Sequence, residues 1–201
     1  AIGKVAENVF VSAQSVTAPD AMFNVASGPD GTYRFDKLAP DTYKVSAALG
    51  MPMTGMQFFS KTVAVKSGGT ANLDIEVAKG TLTLTAELSA PSGKVGAALL
   101  YLIGGTIAAK NGADLARMSA DLPSGYSSFA IYMGKAKTFG ELTAGTYTLC
   151  AMPYPIDLAP MDTMAYGERH GDDMPVFCKT QAIDANRTVT LSVTPPALLP
   201  D

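Results

Sequence analysis

The fold is decided by the stretch Gly28-Pro-Asp-Gly-Thr-Tyr-Arg-Phe-Asp-Lys-Leu-Ala-Pro-Asp-Thr-Tyr-Lys-Val-Ser-Ala47. From Phe35 onward it recurs as Phe139-Gly-Glu-Leu-Thr-Ala-Gly-Thr-Tyr-Thr-Leu-Cys-Ala151, with Phe, Leu, Thr-Tyr and the final Ala at the same spacing, 104 positions later. Self-similarity of this kind marks a chain that is built from copies of one supersecondary unit. The sequence therefore predicts two tandem copies of one module.

A second pair of segments extends the repeat and locates an insertion. Phe59-Ser-Lys-Thr-Val-Ala-Val65 matches Phe177-Cys-Lys-Thr-Gln-Ala-Ile183, now 118 positions later. Since the offset grows from 104 to 118, the second copy carries 14 additional residues between the two matches. We place the module boundary at Lys79-Gly80, which gives modules of residues 1–79 and 80–201, with an inserted loop at residues 152–175.

The matched segments are typical of β-strands. Thr42-Tyr-Lys-Val-Ser46 and Thr81-Leu-Thr-Leu-Thr-Ala-Glu-Leu88 alternate apolar and polar residues and favour β-branched or aromatic types. Turn sequences such as Pro29-Asp-Gly31 and Ser67-Gly-Gly69 separate the strands. Short strands at this spacing predict an all-β fold of two tandem antiparallel β-sandwich modules.

One helix is predicted, and it lies in the second module. Leu115, Met118 and Leu122 recur at i, i+3 and i+7 after Gly112, and Pro123 ends the pattern. This spacing places the three apolar side chains on one face of a short helix.

Composition and charge exclude several classes of protein. The 201 residues have a formal net charge of −3, which argues against nucleic acid or an anionic membrane as the main partner. The uncharged stretch between Lys94 and Lys110, like every other uncharged stretch of the chain, is shorter than the roughly 20 residues that a membrane-spanning helix needs. The chain has one His and two Cys and lacks a Gly-x-Ser-x-Gly elbow or a phosphate-binding loop. We therefore predict a protein that is not an enzyme, with no catalytic residues and no cofactor.

The first copy of the repeat resembles the carboxypeptidase regulatory-like domain, whose motif reads roughly D-x-x-G-x-Y/F-x-F-x-x-L-x-x-G-x-Y-x-V. The resemblance covers most of residues 9–78, and Phe139–Leu149 repeats the core of the motif. It implies a transthyretin-like (prealbumin-like) β-sandwich that serves as a non-catalytic accessory, adhesive or stalk module of a secreted bacterial protein.

The resemblance also points to an open sheet edge in the first module. In the family a first strand precedes the segment that resembles Val9-Phe-Val-Ser-Ala13, whereas Ala1 to Asn8 look like the turn after that strand. The first module is thus expected to lack its opening strand, and an exposed edge is a template for strand addition by another chain. This predicts a homo-oligomer or polymer that forms through the edge.

The two cysteines are assigned to a disulfide. Cys150 and Cys178 lie at opposite ends of the inserted loop, and Ser46 and Ser60 occupy the matching positions of the first copy. A bond between the cysteines would close the enlarged loop and would indicate a secreted, periplasmic or cell-surface protein of a bacterium. Two buried, inert thiols are the alternative.

The inserted loop collects the residues that are scarce elsewhere, and three interpretations of it are open. It could bind a protein or glycan partner through exposed residues, or form an ordered lid whose Met and Tyr side chains pack on the sandwich. It could instead hold a metal, with thioethers suiting copper and its carboxylates suiting calcium. The partner-binding candidates are Tyr154, Tyr166, Arg169 and His170. The candidate metal ligands are Met152, Met161, Met164, His170 and Met174.

Together these features predict a non-catalytic structural or adhesive module outside the cytoplasm. It would bind its partner through the 152–175 loop or along the exposed sheet edge. The alternative is a periplasmic accessory protein that binds copper or carbohydrate, and Met51-Pro-Met53-Thr-Gly-Met56 in the first module is a second methionine cluster that fits copper.

Overall fold

The computed structural model describes residues 2–6, 8–51, 55–77, 80–121 and 125–200. The chain is 49% strand and 9% helix and forms a β-sandwich with short helices, which confirms the predicted all-β class. It divides into two compact units, of which Ala1–Met51 and Met56–Ala78 make up most of the first, and Lys79–Asp121 and Ser127–Asp201 most of the second.

Among its described residues, the first unit has six strands, which belong to two sheets. The strands are β1 (Ile2–Lys4), β2 (Phe10–Ser15), β3 (Met22–Ala26), β4 (Thr32–Arg34), β5 (Asp41–Met51) and β6 (Gly55–Val65). One sheet has the order β6-β5-β2-β3, and the other pairs β1 with β4 in antiparallel fashion. The alternation that predicts strands is visible in β2, where Val11, Ala13 and Ser15 are buried and Phe10 is exposed.

The core of the first unit is drawn from both of its sheets. Tyr33 on β4 packs there with Val11 of β2 and Val45 of β5. Its buried members are Val9, Val11, Ala13, Tyr33, Phe35, Tyr43, Val45, Ala47, Phe59, Val65 and Ile75. This arrangement, in which alternate residues of facing strands fill one interior, is that of a β-sandwich.

In the part of the second unit that the structure describes there are seven strands and two helices. The strands are β7 (Leu82–Ser89), β8 (Ala97–Gly104), β9 (Gly125–Met133), β10 (Lys137–Leu142), β11 (Gly145–Pro153), β12 (Phe177–Ile183) and β13 (Arg187–Ser192). The helices are α1 (Gly112–Asp121) and α2 (Thr163–His170), and a short 3₁₀ turn (Pro160–Asp162) precedes α2. One sheet has the order β12-β11-β8-β9, and the other has the order β10-β7-β13, in which β13 runs parallel to β7.

The two units share their strand order and several local geometries. The order β6-β5-β2-β3 in the first unit has the same pattern as β12-β11-β8-β9 in the second. Tyr43 and Tyr147, which the repeat aligns, each donate a hydrogen bond of 3.0 Å from the phenol to the carbonyl four residues earlier. Lys37 and Glu141, also aligned, both have a positive φ, of 59° and 56°. The tyrosine hydrogen bond and the positive φ angle therefore both recur at positions that the sequence repeat aligns.

The predicted helix is present as α1, and the structure adds elements that the sequence pattern does not indicate. Asn111 caps α1, since its side-chain oxygen accepts a hydrogen bond of 2.8 Å from the Asp114 amide. The stretch expected to be a loop at residues 152–175 contains α2 and the 3₁₀ turn. Part of the turn expected at residues 1–8 is a strand, because Ile2–Lys4 pairs with β4. The absence of an opening strand from the first module stays a prediction.

Asp41 links the start of β5 to the end of β2, and this contact makes stability depend on pH. Ser15 and Thr17 donate hydroxyl hydrogen bonds to the Asp41 carboxylate, which lowers the pKa of that carboxyl from 3.8 to about 2. Because the pKa is lower in the folded state, the stabilisation is complete above about pH 4 and is lost as the pH falls towards 2. Asp41→Asn is expected to lower the stability of the first unit at pH 7, and the difference from wild type is expected to shrink by pH 2.

Urea unfolding curves between pH 2 and pH 7 measure this dependence. Asp20→Asn, at an exposed position of the same unit, serves as the control and should follow the wild-type curve. A constant difference between Asp41→Asn and wild type over the whole pH range would contradict the role of the carboxylate charge.

Candidate functional site

The second unit carries a helical layer, formed by α1, the 3₁₀ turn and α2, that comes from two long connections between strands. Gly112 and Ala113 at the start of α1 donate backbone hydrogen bonds of 3.1 and 3.0 Å to the carbonyls of Met174 and Gly171, just after α2. A Cβ atom on Gly112 would lie 2.4 Å from the Met152 sulfur and 3.0 Å from the Gly171 oxygen, so the close approach requires glycine. The two connections are thus joined to each other by hydrogen bonds between their backbones.

Strand β11 is buried on both of its faces. Tyr147, Leu149 and Ala151 lie on one face and Thr148, Cys150 and Met152 on the other, and all are at most 6% exposed. A strand that alternated between core and solvent would leave every second residue exposed. The burial of both faces therefore places β11 between the sandwich core and covering residues such as Tyr154, Tyr166 and Met174, which cluster with Met152.

The disulfide joins β11 to the edge strand β12. Cys150 and Cys178 are directly paired in the register of the two strands and are bonded, which confirms the predicted disulfide. At the aligned positions of the first unit, the Ser46 and Ser60 hydroxyls are 2.8 Å apart and share a hydrogen bond. The same place between neighbouring strands is thus held by a covalent bond in one unit and by a hydrogen bond in the other.

A cleft of about 410 Å³ lies beside the helical layer in the second unit. Its apolar floor consists of Leu99 and Tyr101 on β8 together with Met152 and Tyr154. Its walls consist of small residues of the two helices and of Gly171 just after α2; those of the helices are Gly112, Ala113, Ala116 and Gly167. Of the floor residues, Leu99 and Tyr101 are partly exposed, whereas Met152 and Tyr154 are buried.

The rim of the cleft is charged and its floor is neutral. Glu168, Arg169 and Asp172 are exposed residues at the end of α2 and line the rim. Burial raises the pKa of Tyr154 to about 12, with a further contribution from the neighbouring Tyr101, and burial also raises the pKa of Tyr101. Both phenols are therefore uncharged at physiological pH.

The structure buries two of the four predicted partner-binding residues and exposes another. Tyr154 and Tyr166 are 5% and 2% exposed, so the surface position expected for them is wrong. Tyr166 accepts a hydrogen bond of 3.0 Å from the Leu199 amide, and its ring centroid lies 4.5 Å from that of His170. Arg169 is exposed, as expected. Binding of a partner through these residues stays a prediction.

The predicted metal ligands are only partly brought together. Met152 and Met174 lie in one buried cluster with the two tyrosines, whereas Met161 is 88% exposed and is not part of it. The Nε2 atom of His170 is buried and makes no hydrogen bond to a described residue. Among the described residues, no group of three or more His, Cys, Asp or Glu side chains is placed to hold a metal ion. Met53 lies outside the described residues, and the copper site stays a prediction.

Several residues of the cleft were not among the sequence candidates. Leu99 and Tyr101 belong to the buried strand β8, and Ala113 and Ala116 lie on α1 away from its buried Leu115. The signal that could have found Ala113 and Ala116 is that both are small residues of the predicted helix outside its apolar stripe.

A second exposed surface lies at the edge of the first unit. Strand β3 is the edge strand of its sheet, next to β2, and its sequence Met-Phe-Asn-Val-Ala has no charged residue. Met22 on β3 and Phe10 on the adjacent β2 are both 54% exposed. Exposed and uncharged edge strands of this kind are uncommon in natural proteins, because they invite pairing with another chain.

Comparisons with known proteins find similarity at the level of structure alone. No protein-family model matches the chain, and no curated protein matches it. The TIE protein of Bacillus anthracis is 16% identical over 95% of this chain with a TM-score of 0.30, and the chain spans only 32% of that protein. GBS52, a minor pilin of Streptococcus agalactiae, is 12% identical over 98% of this chain and 88% of its own, with a TM-score of 0.34.

Further similarity is found to a C-terminal fragment of the pilus adhesin SpaC of Lactobacillus rhamnosus GG, at 13% identity over 96% of this chain and 91% of the fragment, with a TM-score of 0.24. In the part of the chain that the structure describes, every helix is too short or too polar to cross a membrane. The chain is thus similar in structure to pilin- and adhesin-like β-sandwich proteins.

Proposed function

We propose that the chain is a non-catalytic structural or adhesive module of the bacterial cell surface, built from two copies of one transthyretin-like β-sandwich. The exposed edge strand β3 carries this proposal. The common strand order, the paired tyrosine geometry and the aligned Ser and Cys pairs support descent of both units from one module. The proposal rests on these features of the chain itself rather than on the similar structures.

The disulfide supports a location outside the cytoplasm. Disulfides form and persist in oxidising compartments, and they are rare where thiols are kept reduced. Cys150 and Cys178 are the only cysteines of the chain, and they are bonded to each other. A secreted, periplasmic or surface location therefore agrees with the chemistry of the chain.

The edge strand supports assembly by strand addition, and the proposed occupant is β12 of a second copy. β12 is an edge strand of the second unit, as β3 is of the first. Pairing between these two different edges is heterologous, so each added copy occupies one free edge and supplies another of the same kind, and the assembly always keeps one free β3 edge and one free β12 edge. Such pairing produces an open-ended polymer, which is the form that a structural or adhesive fibre takes.

Sedimentation velocity over a range of concentrations tests this assembly. Wild-type protein is expected to form oligomers as its concentration rises, and the Met22→Lys/Asn24→Lys variant is expected to remain monomeric, because charge on an edge strand opposes pairing. Ser67→Lys, at an exposed turn of the same unit, is the control and should associate like wild type. A wild-type protein that is monomeric up to its solubility limit would contradict the proposed assembly.

A further inference from the structure

A pocket of about 290 Å³ lies in the first unit, between the connection from β4 to β5 and the turn that follows β6. The buried residues Phe35 and Val65 form its base. Lys37 from the connection and Lys66 from the turn line it as exposed residues. The fold thus brings two lysines that are distant in sequence to one concave surface, the basic pocket.

The charge of the basic pocket is opposite to that of the whole chain, whose formal net charge is −3. Four charged residues line it, namely Arg34, Asp36, Lys37 and Lys66. Arg34 and Asp36 form an exposed ion pair at 2.6 Å, so their charges offset each other. The ammonium groups of Lys37 and Lys66 make no hydrogen bond or ion pair with any residue that the structure describes. Two positive charges therefore remain available to a ligand.

The second unit indicates that the fold does not require these two charges. The repeat aligns Lys37 with Glu141 and Lys66 with Asp184. Lys37 and Glu141 have nearly the same left-handed φ, of 59° and 56°, so the local backbone is alike in the two units. The same two positions of the module carry positive charges in one unit and negative charges in the other. The basic character is therefore a property of the first unit and not of the module.

The lining of the basic pocket determines which ligand class it suits. An ammonium group only donates hydrogen bonds, and lysine commonly binds phosphate as a point charge. Ser67 and Thr70 are exposed residues of the same lining, and their hydroxyls are further donors. A phosphate monoester has a charge of about −1.5 to −2 at pH 7, which matches two ammonium groups. A sulfate ester, a carboxylate or a phosphate diester carries a single negative charge.

We propose that the basic pocket binds the phosphate group of a phosphomonoester. Lys37 and Lys66 neutralise its two charges, and the hydroxyls of Ser67 and Thr70 donate hydrogen bonds to its oxygens. Pro40, which is exposed and lines the same pocket, offers an apolar contact to the group that carries the phosphate. This inference goes beyond the proposed structural or adhesive function and does not depend on assembly through β3.

NMR titration of isotope-labelled protein at constant ionic strength tests the site. Inorganic phosphate and phenyl phosphate are expected to cause saturable shifts in the backbone amides of residues 34–38 and 66–70. The amides next to Glu141 and Asp184, at the aligned positions of the second unit, are expected not to shift. Phenyl sulfate, which has nearly the same shape as phenyl phosphate, and dimethyl phosphate, a diester, are expected to bind more weakly because each has one negative charge.

Four variants separate a built site from diffuse attraction. Lys37→Asn and Lys66→Gln are each expected to weaken the binding of phenyl phosphate about tenfold, and asparagine is chosen because it tolerates the left-handed φ. Thr70→Val removes a hydroxyl without changing the charge and is expected to weaken binding about threefold. Lys135→Gln, at an exposed position of the second unit, removes the same charge elsewhere and should bind like wild type.

Three results would overturn the proposal: no saturable shift with either phosphate, binding of phenyl sulfate or dimethyl phosphate as tight as that of phenyl phosphate, or unweakened binding by Lys37→Asn, Lys66→Gln or Thr70→Val. Near-ultraviolet circular dichroism establishes that each variant is folded. In sedimentation velocity, Lys37→Asn/Lys66→Gln should associate like wild type. A protein that associates without binding phosphate would therefore refute the basic pocket and retain the structural role.

Discussion

Replacing both cysteines, as Cys150→Ser/Cys178→Ser, is expected to lower the free energy of unfolding of the second unit by about 2.5 kcal/mol. The disulfide closes a loop with a sequence separation of 28, for which chain entropy predicts about 3.5 kcal/mol. Two serines at these positions can form the hydrogen bond that Ser46 and Ser60 form, which returns about 1 kcal/mol. The loss of unfolding free energy is measured by urea unfolding, with hydrogen exchange in peptides of each unit used to monitor the two units separately.

Wild-type protein treated with reductant is the control for this variant. It should lose stability in the second unit, whereas the double serine variant should be insensitive to reductant. The converse variant, Ser46→Cys/Ser60→Cys, is expected to form a second disulfide and to stabilise the first unit by about 2 kcal/mol, since its loop spans 14 positions. If the double serine variant were as stable as wild type, the Cys150–Cys178 disulfide would contribute nothing to the stability of the second unit.

Gly31→Ala is expected to destabilise the first unit by about 3 kcal/mol. Gly31 has φ of +75°, and a Cβ atom there would lie 2.2 Å from the Val5 carbonyl oxygen. The Val5 amide also donates a hydrogen bond of 2.9 Å to the Gly31 carbonyl, so relief of the clash would disturb that contact. The cost therefore combines a left-handed backbone with a collision between main-chain atoms.

Gly68→Ala separates the two contributions. Gly68 has φ of +67°, but no atom lies within 4 Å of its built Cβ position. Its expected cost is about 1 kcal/mol, from backbone conformation alone. Equal losses for the two variants, measured by urea unfolding, would contradict the role assigned to the Val5 oxygen.

The sequence predicts the strands well because their information is local. Of the residues that the two copies of the repeat share, Phe35, Tyr43, Phe139, Leu142 and Tyr147 are buried. α1 is also predictable, since Leu115 begins an apolar stripe and is fully buried. The disulfide is predicted because Cys150 and Cys178 flank the inserted loop, and in the structure the two cysteines are paired directly on neighbouring strands.

The helical layer could not be predicted in the same way, because tertiary contacts create it. α2 has eight residues and contains Gly167, so it is too short and too weak a helix to be recognised by periodicity or to form alone. It is held by the burial of Tyr166 and by the contact of Leu199 with the Tyr166 hydroxyl. Interpreting residues 152–175 as a partner-binding loop led to the surface positions expected for Tyr154 and Tyr166, whereas the other interpretation, an ordered lid with packed Met and Tyr side chains, agrees with their burial.

The cleft is beyond sequence patterns for a further reason. Its floor comes from β8 and the end of β11, one wall from α1 and its rim from α2. These segments are distant in sequence, and only the fold brings them together. Glu168 and Asp172 could be noted as carboxylates of an insertion, but nothing in the sequence links them to Tyr101.

The parallel pairing of β7 with β13 has a mechanical consequence. β7 is the first strand of the second unit and β13 is the last, and they are in register from Leu84–Arg187 to Ser89–Ser192. A force that pulls the two ends of the unit apart acts along this ladder, so its hydrogen bonds bear the load together in shear and do not open one after another. Resistance to tension is therefore built into the connection between the unit's terminal strands.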